Sequence, residues 1–155
     1  MVWTNGGPGC SAMEGATTEH GPLNLFMIKE SCSNGGAASK CDYTNQLATN
    51  AYAWNKHANV LYVDQPKNVG YSFGYGQETA SSVQAGQEIV VFLTRWLELF
   101  PELKGRKMVI SGESYGGHYI PAWADSILDY NAQHPADALN LAGILIGTCW
   151  GAVCV

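Results

Sequence analysis

A short apolar run, Met108-Val109-Ile110, leads into Gly112-Glu113-Ser114-Tyr115-Gly116, and a helix-like stretch from Tyr115 to Tyr130 follows. That order leaves the chain little freedom. The run reads as a strand, the glycines demand a tight turn, and the residues beyond carry helical spacing. G-x-S-x-G in this setting matches a nucleophile elbow, a sharp strand-to-helix turn that exposes a serine hydroxyl and offers the next N–H to an oxyanion. A serine among glycines is often only a turn, so the flanks carry the reading. Ser114 is the candidate nucleophile.

The alternation extends along the chain. Val2-Trp3-Thr4 reads as the end of a strand opening into Asn5-Gly6-Gly7-Pro8-Gly9-Cys10, a tight loop whose glycines let backbone N–H groups approach a ligand closely. Val60-Leu61-Tyr62-Val63-Asp64 is a short buried strand stopped by Gln65-Pro66. Between Thr79 and Phe100, Val83, Ile89, Phe92, Leu93, Trp96, Leu97 and Phe100 recur at mostly helical spacing, so one helix face is apolar core and Pro101 ends it. After the elbow a helix runs to about Asp129, a polar loop passes through His134-Pro135, and Leu141 to Ile146 is a last apolar run. Strand, helix, strand, helix, strand predicts an α/β fold of right-handed βαβ units on a mostly parallel sheet with flanking helices. Residues 23–50 lose periodicity amid Gly, Ser, Asn and Ala, which predicts an irregular loop within one domain spanning 1–155.

Composition narrows the function classes. With 155 residues, 46% hydrophobic and 14% charged, the chain has the make-up of a globular domain. Only 8 Lys and Arg against 13 Asp and Glu leave no basic face for a phosphate backbone, so nucleic acid is not an expected partner. No apolar run approaches the roughly 18 residues of a membrane span, and Val2-Trp3-Thr4 follows Met1 with no signal-peptide pattern. The five cysteines, Cys10, Cys32, Cys41, Cys149 and Cys154, are many for a reduced cytosolic domain, and their odd number leaves one over. Cys32 and Cys41 flank a loop that a disulfide could staple, and free thiols are the open alternative.

Three stretches carry a more specific signal when laid together: Trp3-Thr4-Asn5-Gly6-Gly7-Pro8-Gly9-Cys10-Ser11, then Val63-Asp64-Gln65-Pro66 with Asn68-Val69-Gly70-Tyr71-Ser72, then Gly112-Glu113-Ser114-Tyr115-Gly116-Gly117-His118-Tyr119-Ile120-Pro121. In that order the chain resembles the serine carboxypeptidases, a branch of the α/β-hydrolase fold, from residue 1 to about Gly147. The resemblance implies an acid enzyme of the secretory route, lysosomal, vacuolar or extracellular, that removes C-terminal residues from peptides, needing no metal or cofactor. It makes Ser114 the nucleophile and the Gly7 and Tyr115 N–H groups the oxyanion hole. Losing one such donor costs ~10²–10³ in rate. It also implies that Asn5, the Gly6 N–H, Glu19 and Glu113, with Trp3 packed alongside, hold the substrate's terminal carboxylate. Carboxyl groups meeting at short range cannot all be ionised, so this pocket is expected to bind peptides best in acid.

The resemblance also shows what these residues do not supply. A serine nucleophile needs a base and an orienting acid, in the order Ser, Asp, His. After Ser114 the histidines are His118, one turn on, where the family carries a histidine that is not the base, and His134, in a polar loop. His20 and His57 precede Ser114, and Asp125 and Asp129 fall on the helix after the elbow. The family's Asp and His come from later chain, and Cys10 there pairs with a cysteine in that later part. Where the family continues Gly-Asn-Gly, this chain reads Gly147-Thr148-Cys149-Trp150, the ending expected of a truncated or spliced product or an out-of-frame gene model. Three alternatives stand beside a fragment of a peptidase: a non-catalytic module that keeps the peptide-terminus pocket, an acyltransferase or lyase on the same scaffold, and a chain with too much uncovered sheet to fold stably.

Overall fold

The computed structural model describes residues 1–32 and 41–147. In chain order the elements are β1 (Val2–Thr4), β2 (Leu23–Cys32), β3 (Cys41–Thr49), β4 (Leu61–Tyr62), α1 (Ser82–Leu99), β5 (Met108–Glu113), α2 (Gly116–Gln133) and β6 (Leu141–Gly147). They divide between two compact units, Met1–Ala12 with Asn59–Val155, and Met13–Ala58.

The first unit is a four-stranded parallel sheet in the order β4-β1-β5-β6. Parallel neighbours need long crossovers, and α1 and α2 supply those into β5 and β6. Register is fixed by Val2 opposite both Leu61 and Ile110, and by Thr4 opposite Gly112. The strand read over Val60 to Asp64 has only two residues in regular pairing, although Val63 N–H still donates to Trp3 O at 2.9 Å.

Helix α1 begins at Ser81, whose Oγ accepts the Gln84 N–H at 3.1 Å, and the Gln84 side chain reaches back to the Ala80 N–H at 3.0 Å. This reciprocal cap satisfies donors that the first turn leaves open. Its buried stripe is Ala85, Gly86, Ile89, Val90 and Leu93, and Pro101 stops continuation past Phe100. Helix α2 runs four residues beyond the expected Asp129 and buries Ile120, Trp123 and Ile127 completely. With Val2, Val63, Ile110 and Leu139 these side chains form the core. Each fully buried Leu or Ile is worth about 1.5–3 kcal/mol over exposure.

The second unit corrects the irregular loop expected over 23–50. Strands β2 and β3 form an antiparallel ladder from Leu23 opposite Thr49 to Cys32 opposite Cys41, with one irregularity between Lys29 and Ser31. Periodicity missed it because neither face is buried: Leu25, Phe26, Met27 and Ile28 are all more than 40% exposed, so no apolar-polar alternation marks the strands. Main-chain hydrogen bonds hold the ladder regardless of which side chains face water. Cys41 is disulfide-bonded, Cys10 is an exposed free thiol, and Cys149 and Cys154 lie outside the described residues. Buried Asn50 ties the base of this unit, donating to the Glu19 and Gly21 carbonyls at 2.8 and 3.0 Å and accepting the Tyr52 N–H at 2.8 Å. The His20 ring is stacked on Trp54, centroids 4.0 Å apart.

Two outcomes are expected. A Cβ on Gly86 would lie 2.5 Å from the Ala122 carbonyl oxygen on α2. Gly86→Ala therefore loses about 1–3 kcal/mol to overpacking, more than the ~1 kcal/mol of helix propensity it gains. A higher denaturation midpoint in urea would refute the contact. Burial holds the His20 imidazole below its ordinary pKa, an effect its own backbone hydrogen bond partly offsets. The unfolded chain then takes the proton first, so stability is complete above about pH 6.5 and declines as pH falls below it. The protection of the Trp54 amide, whose N–H donates to the His20 carbonyl at 2.9 Å, measured relative to the intrinsic exchange rate at each pH, should fall between about pH 7 and 5 in the wild type and not in His20→Phe.

Candidate active site

Ser114 sits where β5 gives way to α2, and its φ of 53° lies in the left-handed region that side chains other than glycine's avoid. Such a backbone costs on the order of 1–3 kcal/mol and persists only where the surroundings over-determine it. Here its N–H donates to Gly147 O at 3.0 Å, its carbonyl accepts the Gly117 N–H at 3.0 Å, and Tyr115 opens α2. The serine is thereby presented at the carboxyl edge of the sheet. The structure thus gives the G-x-S-x-G turn the geometry of a nucleophile elbow.

The loop after β1 lies against this turn. A Cβ on Gly6 would stand 2.5 Å from Tyr115 N and 2.6 Å from Glu113 O, so only glycine fits. Gly7, with φ of 106°, holds a conformation that favours glycine for its backbone alone. Among the described residues no main-chain carbonyl accepts the N–H of Gly7 or of Tyr115. These are the two donors expected to form the oxyanion hole.

Beside them runs a relay of side chains. Trp3 Nε1 donates to Asn5 Oδ1 at 2.8 Å, and Asn5 Nδ2 donates to Glu113 Oε1 at 3.2 Å. An indole N–H can only donate, which turns the amide oxygen toward Trp3 and leaves the amide nitrogen for the carboxylate. Trp3 and Asn5 are buried, Asn5 completely, while Glu113 is half-buried. Strand pairing brings them together, because Thr4 stands opposite Gly112 and the next residue of each strand is Asn5 or Glu113. Glu19 belongs to the other unit, closing the turn Gly15–Glu19.

No histidine ring among the described residues hydrogen-bonds Ser114. His118 is exposed with its ring 4.5 Å from that of Tyr115. His134 is exposed at the far end of α2, stacked on Tyr130, and Asp125 and Asp129 are exposed along that helix. His57 is an exposed residue of the second unit. Among the described residues no group of three or more His, Cys, Asp or Glu could hold a metal ion, and no helix is long and apolar enough to cross a membrane.

Two residues given no role from sequence stand out. Tyr119 is buried on α2, which pushes its phenol up in pKa, partly offset by the Gly9 main chain beside it, with Tyr115 and Cys10 adding to the rise. Asp64 accepts hydrogen bonds from two separate loops. Asp64 lay inside a quoted motif, which was its only signal, and Tyr119 differs in nothing from an ordinary core aromatic until the loop folds over it.

A family model described as serine carboxypeptidase matches residues 1–152. The Arabidopsis thaliana protein serine carboxypeptidase-like 41 is 40% identical over 149 residues, 94% of this chain and 29% of its own length. Carboxypeptidase Y homolog A of Neurospora crassa is 38% identical over 147 residues, 95% of this chain and 23% of its own. The crystal structure of a prohormone-processing carboxypeptidase from Saccharomyces cerevisiae matches with a TM-score of 0.77 and 32% identity, over 96% of this chain and 30% of that one. The chain spans less than a third of the length of these relatives.

The close fit at Gly6 can be tested against an open position. Gly6→Ala should cost about 1–3 kcal/mol by forcing the loop off the elbow. Gly143→Ala on β6, where a Cβ would meet nothing within 4 Å, should stay within about 0.5 kcal/mol of the wild type in chemical denaturation. Equal effects at the two positions would contradict the packing of the loop on the elbow.

Proposed function

The chain belongs to the serine carboxypeptidase family, its parallel sheet and flanking helices forming part of the α/β-hydrolase fold, and we propose that its site is built to cleave C-terminal peptide bonds through an acyl-enzyme on Ser114. The observation that carries this reading is the left-handed Ser114 at a strand-to-helix turn with the Gly7 and Tyr115 N–H groups left unclaimed beside it. In the reaction the Ser114 hydroxyl oxygen bonds to the scissile carbonyl carbon, its proton passes to a base, and the carbonyl oxygen becomes an anion received by the two N–H groups. The substrate's terminal carboxylate is held by Asn5, the Gly6 N–H and Glu113, with Trp3 fixing the Asn5 amide; Glu19 joins this set on the resemblance alone. Disulfide-bonded Cys41 supports an oxidising setting on the secretory route, lysosomal, vacuolar or extracellular.

Neither histidine after Ser114 serves as the base. A second reading, that of a binding module for free peptide C-termini, is favoured by the Trp3–Asn5–Glu113 relay, which stands without any contribution from Ser114.

A fluorophosphonate probe separates the two. Slow labelling that vanishes in Ser114→Ala is expected, whereas equal labelling of wild type and variant overturns the nucleophile assignment. Calorimetry with peptides bearing free or amidated C-termini tests the pocket. Two carboxylates that meet share a proton, so binding takes one up and the free-acid peptide should bind more tightly in acid than at neutral pH. The amide should show no such preference. A peptide affinity indifferent to both the terminus and pH would remove the pocket from the proposal.

A further inference from the structure

Asp64 joins two loops of the first unit. It follows the last main-chain bond of the β4 edge, Val63 N–H to Trp3 O, and its carboxylate then accepts three hydrogen bonds. Ser11 Oγ donates to Oδ1 at 2.7 Å, Ala12 N–H donates to Oδ1 at 2.6 Å, and Tyr71 N–H donates to Oδ2 at 2.8 Å. The Asp64 carbonyl accepts a fourth, from Ser72 Oγ at 2.7 Å. A Cβ on Gly70 would run into this carboxylate and stand 2.7 Å from Ser11 Oγ, so the packing around Asp64 leaves no slack.

Ser11 and Ala12 end the loop that begins at Asn5. Its leading end is held by the Asn5 side chain between Trp3 and Glu113, and its middle by Cys10 N–H to Gly6 O at 3.1 Å. Gly6, Gly7 and Gly9 lie between these anchors. An oxyanion donor must be preorganised to be useful, and three glycines give this stretch a backbone that other contacts must fix. A carboxylate accepting N–H and O–H donors makes charge-assisted bonds, about twice as strong as neutral ones.

We propose that Asp64 is a positioning residue for the oxyanion hole: by accepting the Ser11 hydroxyl and the Ala12 N–H it fixes the trailing end of the 5–12 loop and so holds the Gly7 N–H in place. The inference rests on the reading of Gly7 and Tyr115 as oxyanion donors. It adds a residue that touches neither substrate nor Ser114 and acts through the loop.

The test uses the full chain with Asp64→Ala, Asp64→Asn and, as control, Asp125→Asn on the exposed face of α2. Amide exchange at Cys10 and Ala12 in Asp64→Ala should quicken at least about tenfold while β5 and α2 stay protected. Asp64→Asn, whose Oδ1 still accepts both donors, should recover most of that protection. The second readout compares a tetrahedral phosphinate peptide with its planar product peptide, both ending in a free carboxylate. Asp64→Ala should weaken the phosphinate by about tenfold or more and leave the planar peptide within about twofold, since only the former uses the oxyanion hole. Should Asp64→Ala also lose α2 protection, Ser11→Ala carries the test, with a smaller rise in exchange confined to residues 10–12 expected. Unchanged exchange at Cys10 and Ala12, or equal loss of both peptides, overturns the role of Asp64 alone. A wild-type chain that binds the two peptides equally overturns the oxyanion-hole reading, and the role of Asp64 goes with it.

Discussion

Gly6 approaches the turn at Glu113–Tyr115 so closely that a methyl group in place of its hydrogen would come within 2.5 Å of the Tyr115 nitrogen. That approach exists because β1 and β5 are parallel neighbours with Thr4 opposite Gly112, which delivers both C-terminal loops to one edge of the sheet. Open α/β sheets place their ligands outside the carboxyl ends of the strands for this reason. Asn5 then meets Glu113, and Gly6 lies on the turn that carries Ser114. One backbone contact thus assembles a site from residues more than 100 positions apart.

The strain at Ser114 depends on the packing behind it. Helix α2 cannot slide to relax the turn, because Ile120, Trp123 and Ile127 are fully buried and Gly86 of α1 lies against Ala122. The core therefore holds a local conformation that the serine would not choose. The second unit is built differently. Its ladder exposes apolar side chains on both faces, and its order comes from main-chain pairing, the Asn50 hydrogen bonds and the His20–Trp54 stack.

These two constructions explain what could be read in advance. Helix α1 was legible because one face is apolar at helical spacing and Ser81 and Pro101 punctuate it. Met108 to Ile110 and Leu141 to Ile146 were legible as strands because they are short apolar runs between polar turns. The hairpin over Leu23–Thr49 was not, since Phe26 and Met27 face opposite ways and both remain exposed. The two-residue β4 was overdrawn because Val63 makes its bond at the end of the ladder and Asp64 turns away to serve the loops.

Within the site, Ser114, Gly7 and Glu113 were marked by residue type and by motif, because few side chains suit those backbones or that chemistry. Asp64 lay within a motif, but neither its residue type nor its position gave it a role. Its function as an acceptor arises only when Ser11, Ala12 and Tyr71 converge on it, and nothing in its own neighbourhood of sequence encodes that convergence. By itself, then, the sequence determined the alternation of strands and helices in the parallel sheet and the strand-to-helix turn that carries Ser114, both of which depend on local spacing and backbone preference. Only the tertiary structure decided that the Asn5 amide nitrogen meets Glu113 and that the Asp64 carboxylate holds Ser11 and Ala12, because each of those is a hydrogen bond between segments far apart in the chain.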